Sequence, residues 1–86
     1  MTSPTPVPQR ILLTGSNGQI GTVLAAELRA TYGAANVVCS DIAEPSAATL
    51  AAGPFERLNV LDADALREVI RRHGITTVYH LSAVLS

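Results

Sequence analysis

The sequence predicts an α/β fold: a parallel sheet of about four strands in the spatial order 3-2-1-4, with helices on both faces. Three observations lead there. Short apolar runs alternate with segments of helical period along the chain after residue 9. Glycines punctuate the junctions, at Gly15, Gly33, Gly53 and Gly74. Strands separated by helices need crossover connections, and right-handed crossovers favour the doubly wound order.

Arg10–Thr14 reads as a buried strand, because Ile11, Leu12 and Leu13 run continuously rather than alternate with polar residues. Gly18–Tyr32 reads as a helix, with Ile20, Val23, Leu24 and Leu28 on one face and Gly33 as its stop. Asn36–Asp41 is a second strand centred on Val37, Val38 and Cys39. Pro45 and Ser46 open a short helix through Ala47–Ala52, which Gly53 and Pro54 end. Phe55–Val60 is a third strand that mixes charged and apolar residues. Asp62 caps the next helix, with Asp64 in its first turn and Leu66, Val69 and Ile70 as its apolar stripe. Arg71, Arg72 and His73 complement its C-terminal dipole end, and Gly74 terminates it. Ile75–Leu81 is a fourth, buried strand rich in β-branched residues, within which His80 is expected to pack in the core. These elements make the first half of a Rossmann fold plus one strand. Residues 10–86 form one unit behind a short, mobile, Pro-rich tail, 1–9, with no internal linker or repeat.

A chain of 86 residues buries about 60–65% of its unfolded surface, so its core is thin. Its net charge of −1 gives no electrostatic case for nucleic acid or an anionic membrane. No apolar run is long enough to span a bilayer, and the first residues lack the basic start and apolar stretch of a signal peptide. The single Cys39 excludes an internal disulfide, and a cytoplasmic location is expected. No set of His, Cys and carboxylate residues has metal-ligand spacing, so no metal is expected. All 6 basic residues are arginine. Without lysine there is no Schiff base and no Walker-type loop ending in Gly-Lys.

The chemistry-bearing run is Thr14–Gly21, which holds Gly15, Gly18 and Gly21 between a predicted strand and a predicted helix. Gly15 permits a tight turn, Gly18 removes a side chain from a phosphate's path, and Gly21 allows close helix–strand packing. The helix N-terminus offers unpaired N–H groups to an anion. Asp41 ends the second strand, where a carboxylate can accept hydrogen bonds from an adenosine ribose. The same charge repels a 2′-phosphate, which favours NAD over NADP. Arg57 is the only basic residue near the third strand, and nothing in the sequence puts it beside that ribose.

The Gly-x-x-Gly-x-x-Gly spacing resembles that of the extended short-chain dehydrogenases/reductases, the NAD-dependent epimerase/dehydratase family. The runs Ile11–Thr22, Asn36–Ile42, Gly53–Asp62 and Val78–Ser86 are similar to those of its NAD-dependent L-threonine 3-dehydrogenases. The resemblance covers nearly everything after the tail. It implies that residues 15–21, especially Asn17, Gly18, Gln19 and Ile20, line the pyrophosphate of NAD. It implies that Asp41 and Ile42 flank the adenosine ribose and adenine. Asn59 and Val60 occupy the place of an Asp-Val pair at the adenine edge, and Asn59 keeps an acceptor oxygen without the charge. Leu81, Ser82 and Ala83 would pass beside the nicotinamide-side ribose, and Ser86 would approach the substrate.

Enzymes resembling this chain oxidise a secondary alcohol with a tyrosine and a lysine four residues later, passing hydride to NAD. L-Threonine would give 2-amino-3-ketobutyrate. Here Tyr32 and Tyr79 are followed four residues on by Asn36 and Ala83, so the chain holds no such pair and no catalytic residue is assigned. The expectation is an N-terminal segment of a longer dehydrogenase, inactive alone, whose open fourth-strand edge at 76–85 invites self-association. A standalone nucleotide-binding or interaction module is one alternative. The N-terminal part of a nucleotide-sugar epimerase or reductase is another. A Tyr-x-x-x-Lys encoded downstream of Ser86 would favour an enzyme.

Overall fold

The computed structural model describes residues 9–81. The expectations for 1–8, and for Ser82, Ala83 and Ser86, lie outside the described residues.

Four strands form one parallel sheet: β1 (Ile11–Thr14), β2 (Val37–Asp41), β3 (Phe55–Arg57) and β4 (Thr77–His80). Their order is β3-β2-β1-β4, the arrangement expected from the crossovers. Ile11 pairs with Val37 on one side and with Thr77 on the other, so β1 lies inside the sheet and β4 at its edge. The helices are α1 (Gln19–Tyr32), α2 (Ala47–Ala52) and α3 (Ala63–His73), and a single 3₁₀ turn at Ala34–Asn36 leads into β2.

Alternation along the strands splits the core into two layers. Ile11, Leu13, Val37 and Cys39 face α1, where they meet Ala25 and Leu28. Leu12, Val38 and Leu58 face the other way and meet Val69 of α3. The continuous apolar runs of β1 and β2 are thus explained: both faces of both strands are covered. Beneath the sheet, the Arg10 guanidinium donates to the carbonyls of His73 (3.0 Å) and Ala35 (3.1 Å), tying the end of α3 to the entry of β2. Glu56 accepts from His73 Nε2 at 2.8 Å and from Arg72 at 3.1 Å, joining β3 to the end of α3.

Several boundaries and faces differ from the sequence reading. Helix α1 begins at Gln19, with Gly18 as its cap, and its buried residues are Gly21, Ala25 and Leu28. Ile20 and Val23, expected on the buried face, are 74% and 65% exposed. The helix rolls toward its smallest residues because Gly21 lets it approach the β1 turn. Strand β3 stops at Arg57, and its last ladder bond runs from the Leu58 N–H to the Asp41 carbonyl at 3.0 Å. Strand β4 spans Thr77–His80 with alternate residues exposed, and His80 lies outside the core. An edge strand paired on one side only, with Val78 44% exposed, does not enclose it.

The Cys39 thiol is 1% exposed. Burial disfavours the thiolate and raises the pKa above the ordinary 9.0, opposed in part by Arg29 and the Ser16 hydroxyl. The folded chain therefore holds this proton more tightly than the unfolded chain. The corresponding stability is complete below the unfolded thiol's pKa and is lost as pH rises from there through the folded value. Urea midpoints should fall from about pH 8 upward, and Cys39→Ala should flatten that fall. Parallel curves for the two proteins would refute the assignment.

Candidate functional site

Because the sheet is parallel, all four strands deliver their C-terminal ends, Thr14, Asp41, Arg57 and His80, to one edge. The chain leaves β1 through α1 toward β2, and leaves β3 through α3 toward β4 on the other side of β1, which opens a crevice at the point where strand order reverses. Gly15 turns the chain out of β1 with φ +72°. Gly21 then brings α1 against that turn. A β-carbon at Gly21 would lie 2.5 Å from the Gly15 carbonyl oxygen.

The start of α1 differs from those of α2 and α3. Ser46 accepts from the Thr49 N–H at 3.2 Å, and Asp62 accepts from the Ala65 N–H at 3.1 Å. Gly18 has no side chain to cap α1, and the first turn carries no acidic residue. The N–H groups of Gln19, Ile20 and Gly21 precede the first helical bond, Thr22 N–H to Gly18 carbonyl at 2.9 Å. They present an uncompensated positive dipole end at the crevice.

Asp41 is held beside this turn. Its Oδ2 accepts from the Asn17 N–H at 3.0 Å and its Oδ1 from the Ala43 N–H at 3.1 Å. The Asn17 side-chain amide donates to the carbonyls of Ala43 (3.1 Å) and Glu44 (3.2 Å). The glycine turn and the loop after β2 are therefore stitched together through a single asparagine. Each carboxylate oxygen can accept a second hydrogen bond, so Asp41 retains capacity for a diol.

Among the other residues singled out from the sequence, Gln19, Ile20 and Ile42 are exposed near the same edge. Asn59 follows β3, but its Oδ1 accepts from the Leu61 N–H at 3.0 Å, so the side chain also shapes the turn into α3. Val60 is half-buried in that turn. Leu81 extends β4 through its N–H to the Thr14 carbonyl at 3.1 Å and packs against the α1-side core. Two features escaped the sequence reading. Thr14 Oγ1 lies 2.8 Å from His80 Nδ1, a polar link across β1 and β4 at the crevice. Arg57 reaches back to the loop after Asp41, donating from Nε to the Ile42 carbonyl at 3.0 Å and approaching Glu44 at 3.5 Å. The pairing of Asp41 with Arg57 in the β2–β3 register brings it there.

The model of the NAD dependent epimerase/dehydratase family matches residues 11–86. Mitochondrial L-threonine 3-dehydrogenase of Bos taurus is 44% identical over 78 residues, covering 91% of this chain and 21% of the relative. An uncharacterized epimerase/dehydratase of Staphylococcus aureus is 42% identical over 79 residues, covering 91% of this chain and 25% of the relative. The holo structure of an L-threonine dehydrogenase from Cupriavidus necator superposes with a TM-score of 0.81 at 44% identity, over 90% of this chain and 25% of that one. The chain thus spans about a fifth to a quarter of the length of the proteins it matches.

Proposed function

The chain belongs to the NAD dependent epimerase/dehydratase family, and from that premise we propose that it forms the NAD-binding segment of an oxidoreductase similar to L-threonine 3-dehydrogenase. One observation carries this reading: the uncapped start of α1 and the Asp41 carboxylate share one edge of the sheet, joined through Asn17. The donor set suits a dinucleotide. Free N–H groups meet the pyrophosphate anion, and a carboxylate acceptor meets the adenosine ribose.

In this reading Gly15, Gly18 and Gly21 shape the cradle, and Gln19 and Ile20 supply N–H donors. Ile42, Asn59 and Val60 flank the adenine. Leu81, with Ser82 and Ala83 after it, borders the nicotinamide half, and Ser86 approaches the substrate. NAD, when bound, accepts a hydride from the substrate carbon. The residues of this chain bind and orient the cofactor. None is assigned to proton transfer, since Tyr32 and Tyr79 lack a lysine partner and the sequence contains no lysine. Residues 10–86 act as one unit. The likeness to the Staphylococcus aureus epimerase/dehydratase supports a second reading, the cofactor segment of an epimerase or reductase acting on a nucleotide sugar. It shares every residue assigned to NAD and differs in the substrate.

Calorimetric titration tests the cofactor reading. NAD should bind weakly, and Asp41→Ala should cost about 1–3 kcal/mol of binding through lost charge-assisted hydrogen bonds. Unchanged affinity in that variant would remove the ribose assignment.

A further inference from the structure

We propose that Asn17 is a positioning residue that sets the preference for NAD over NADP through the bonds its side chain makes to the loop after β2. The proposal rests on the NAD reading above and concerns how the site rejects a 2′-phosphate.

Two charged groups decide that rejection, and they pull in opposite directions. Asp41 repels a 2′-phosphate. Arg57, delivered to the same loop by its register opposite Asp41, would attract one. The outcome depends on holding the carboxylate in place and keeping the guanidinium occupied. Both tasks fall to the short loop Ile42–Glu44, whose Ile42 carbonyl accepts from Arg57 Nε at 3.0 Å. The Ala43 N–H fixes Asp41 Oδ1 at 3.1 Å, and the Glu44 carboxylate lies 3.5 Å from the Arg57 guanidinium. The Arg57–Glu44 pair is exposed, so its attraction alone does not anchor the loop.

The Asn17 side chain provides the anchor. Its amide nitrogen donates to the carbonyls of both Ala43 and Glu44, at 3.1 and 3.2 Å. Those two bonds fix the amide orientation, because an oxygen in that place would face two acceptors. The main chain of the same residue donates to the other carboxylate oxygen, Asp41 Oδ2. Asn17 therefore aims the repelling group directly and holds the backbone that quiets the attracting one. With its side chain removed, the 43–44 stretch is free to drift. Asp41 loses one of its two supports, and the Arg57 terminal nitrogens, no longer facing Glu44, become available to a phosphate.

The test measures NAD and NADP binding to the 86-residue chain and to Asn17→Ala, Asp41→Asn and the double variant. Asn17→Ala should lower the NAD/NADP affinity ratio about tenfold, the scale of one to two lost hydrogen bonds. In the Asp41→Asn background the same substitution should change the ratio clearly less than in the wild type, since the route through Asp41 is gone and only the release of Arg57 remains. Equal weakening of both nucleotides by Asn17→Ala, with the ratio unchanged, would mean that Asn17 only supports the fold and would overturn the proposal. Additive effects in the double variant would do the same. If the wild-type chain binds neither nucleotide, the cofactor reading itself fails, and this proposal with it. Should Asn17→Ala not fold, amide exchange of the wild type decides the matter. The Ala43 amide should be protected, and exchange as fast as in an open loop would overturn the anchor.

Discussion

Gly21→Ala is expected to destabilise the fold by about 3 kcal/mol, with urea unfolding followed by circular dichroism as the measurement. The added β-carbon would meet Gly15 O at 2.5 Å, Ser16 Cα at 2.7 Å and Ser16 C at 2.9 Å. All three are backbone atoms of the turn, and no rotamer change can move them aside. Relief requires either lifting α1 from the sheet, which opens the layer formed by Ala25 and Leu28, or displacing the turn. For a small domain with about 5 kcal/mol in hand, that is most of its stability. Gly18 offers the contrast. A β-carbon there meets only the Gly15 oxygen, at an ordinary 3.8 Å. Gly18→Ala should leave the unfolding midpoint nearly unchanged while weakening NAD. The two glycines of one motif would then separate into a packing role and a ligand role. Equal midpoints for Gly21→Ala and the wild type would show that the close approach of α1 to the turn is not obligatory.

Leu12→Ala should cost about 2–5 kcal/mol by the same assay. Leu12 is fully buried on an interior strand, and with Val38, Leu58 and Val69 it forms the smaller of the two layers. Leu66, Ile70 and Ile75 pack against the same layer, but α3 and the turn that ends it fix their backbones, so the void fills only in part. The energetic cost combines lost transfer free energy with an unfilled cavity. The loss should fall on α3 first, because α3 is held to the sheet through this layer. A loss below about 1 kcal/mol would mean that α3 collapses readily onto the gap.

The strand order was legible in the sequence because it follows from chain direction and crossover handedness, both encoded in where the apolar runs and glycines fall. The buried face of α1 was legible only in part: Leu28 is buried and Leu24 packs against the core, but Ile20 and Val23 are exposed. Apolar residues surround that helix, and periodicity favoured the large ones, Ile20 and Val23. The contact instead selected the small ones, Gly21 and Ala25, because close approach rewards absence of bulk. The glycine turn and Asp41 could be read as one site, since each lies at the end of a strand in the same sheet. The side-chain work of Asn17 could not. Its partners are main-chain carbonyls 26 and 27 residues away, and carbonyls leave no mark on residue identity. Arg57 was similarly hidden, because its reach depends on the register of β3 against β2.

The place of β1 between β2 and β4 also sets an order of assembly. Joining Ile11 to Val37 closes a much shorter loop than joining Ile11 to Thr77. On loop-closure entropy alone the second union is about 0.8 kcal/mol costlier. The turn and Asn17 lie within the shorter loop, and Asp41 ends the strand that closes it. The part of the crevice built by the glycine turn and Asp41 can therefore close on itself while β4 is still unpaired, and it is the last part to open when the edge frays. A nascent chain would complete that part first, before β4 has arrived.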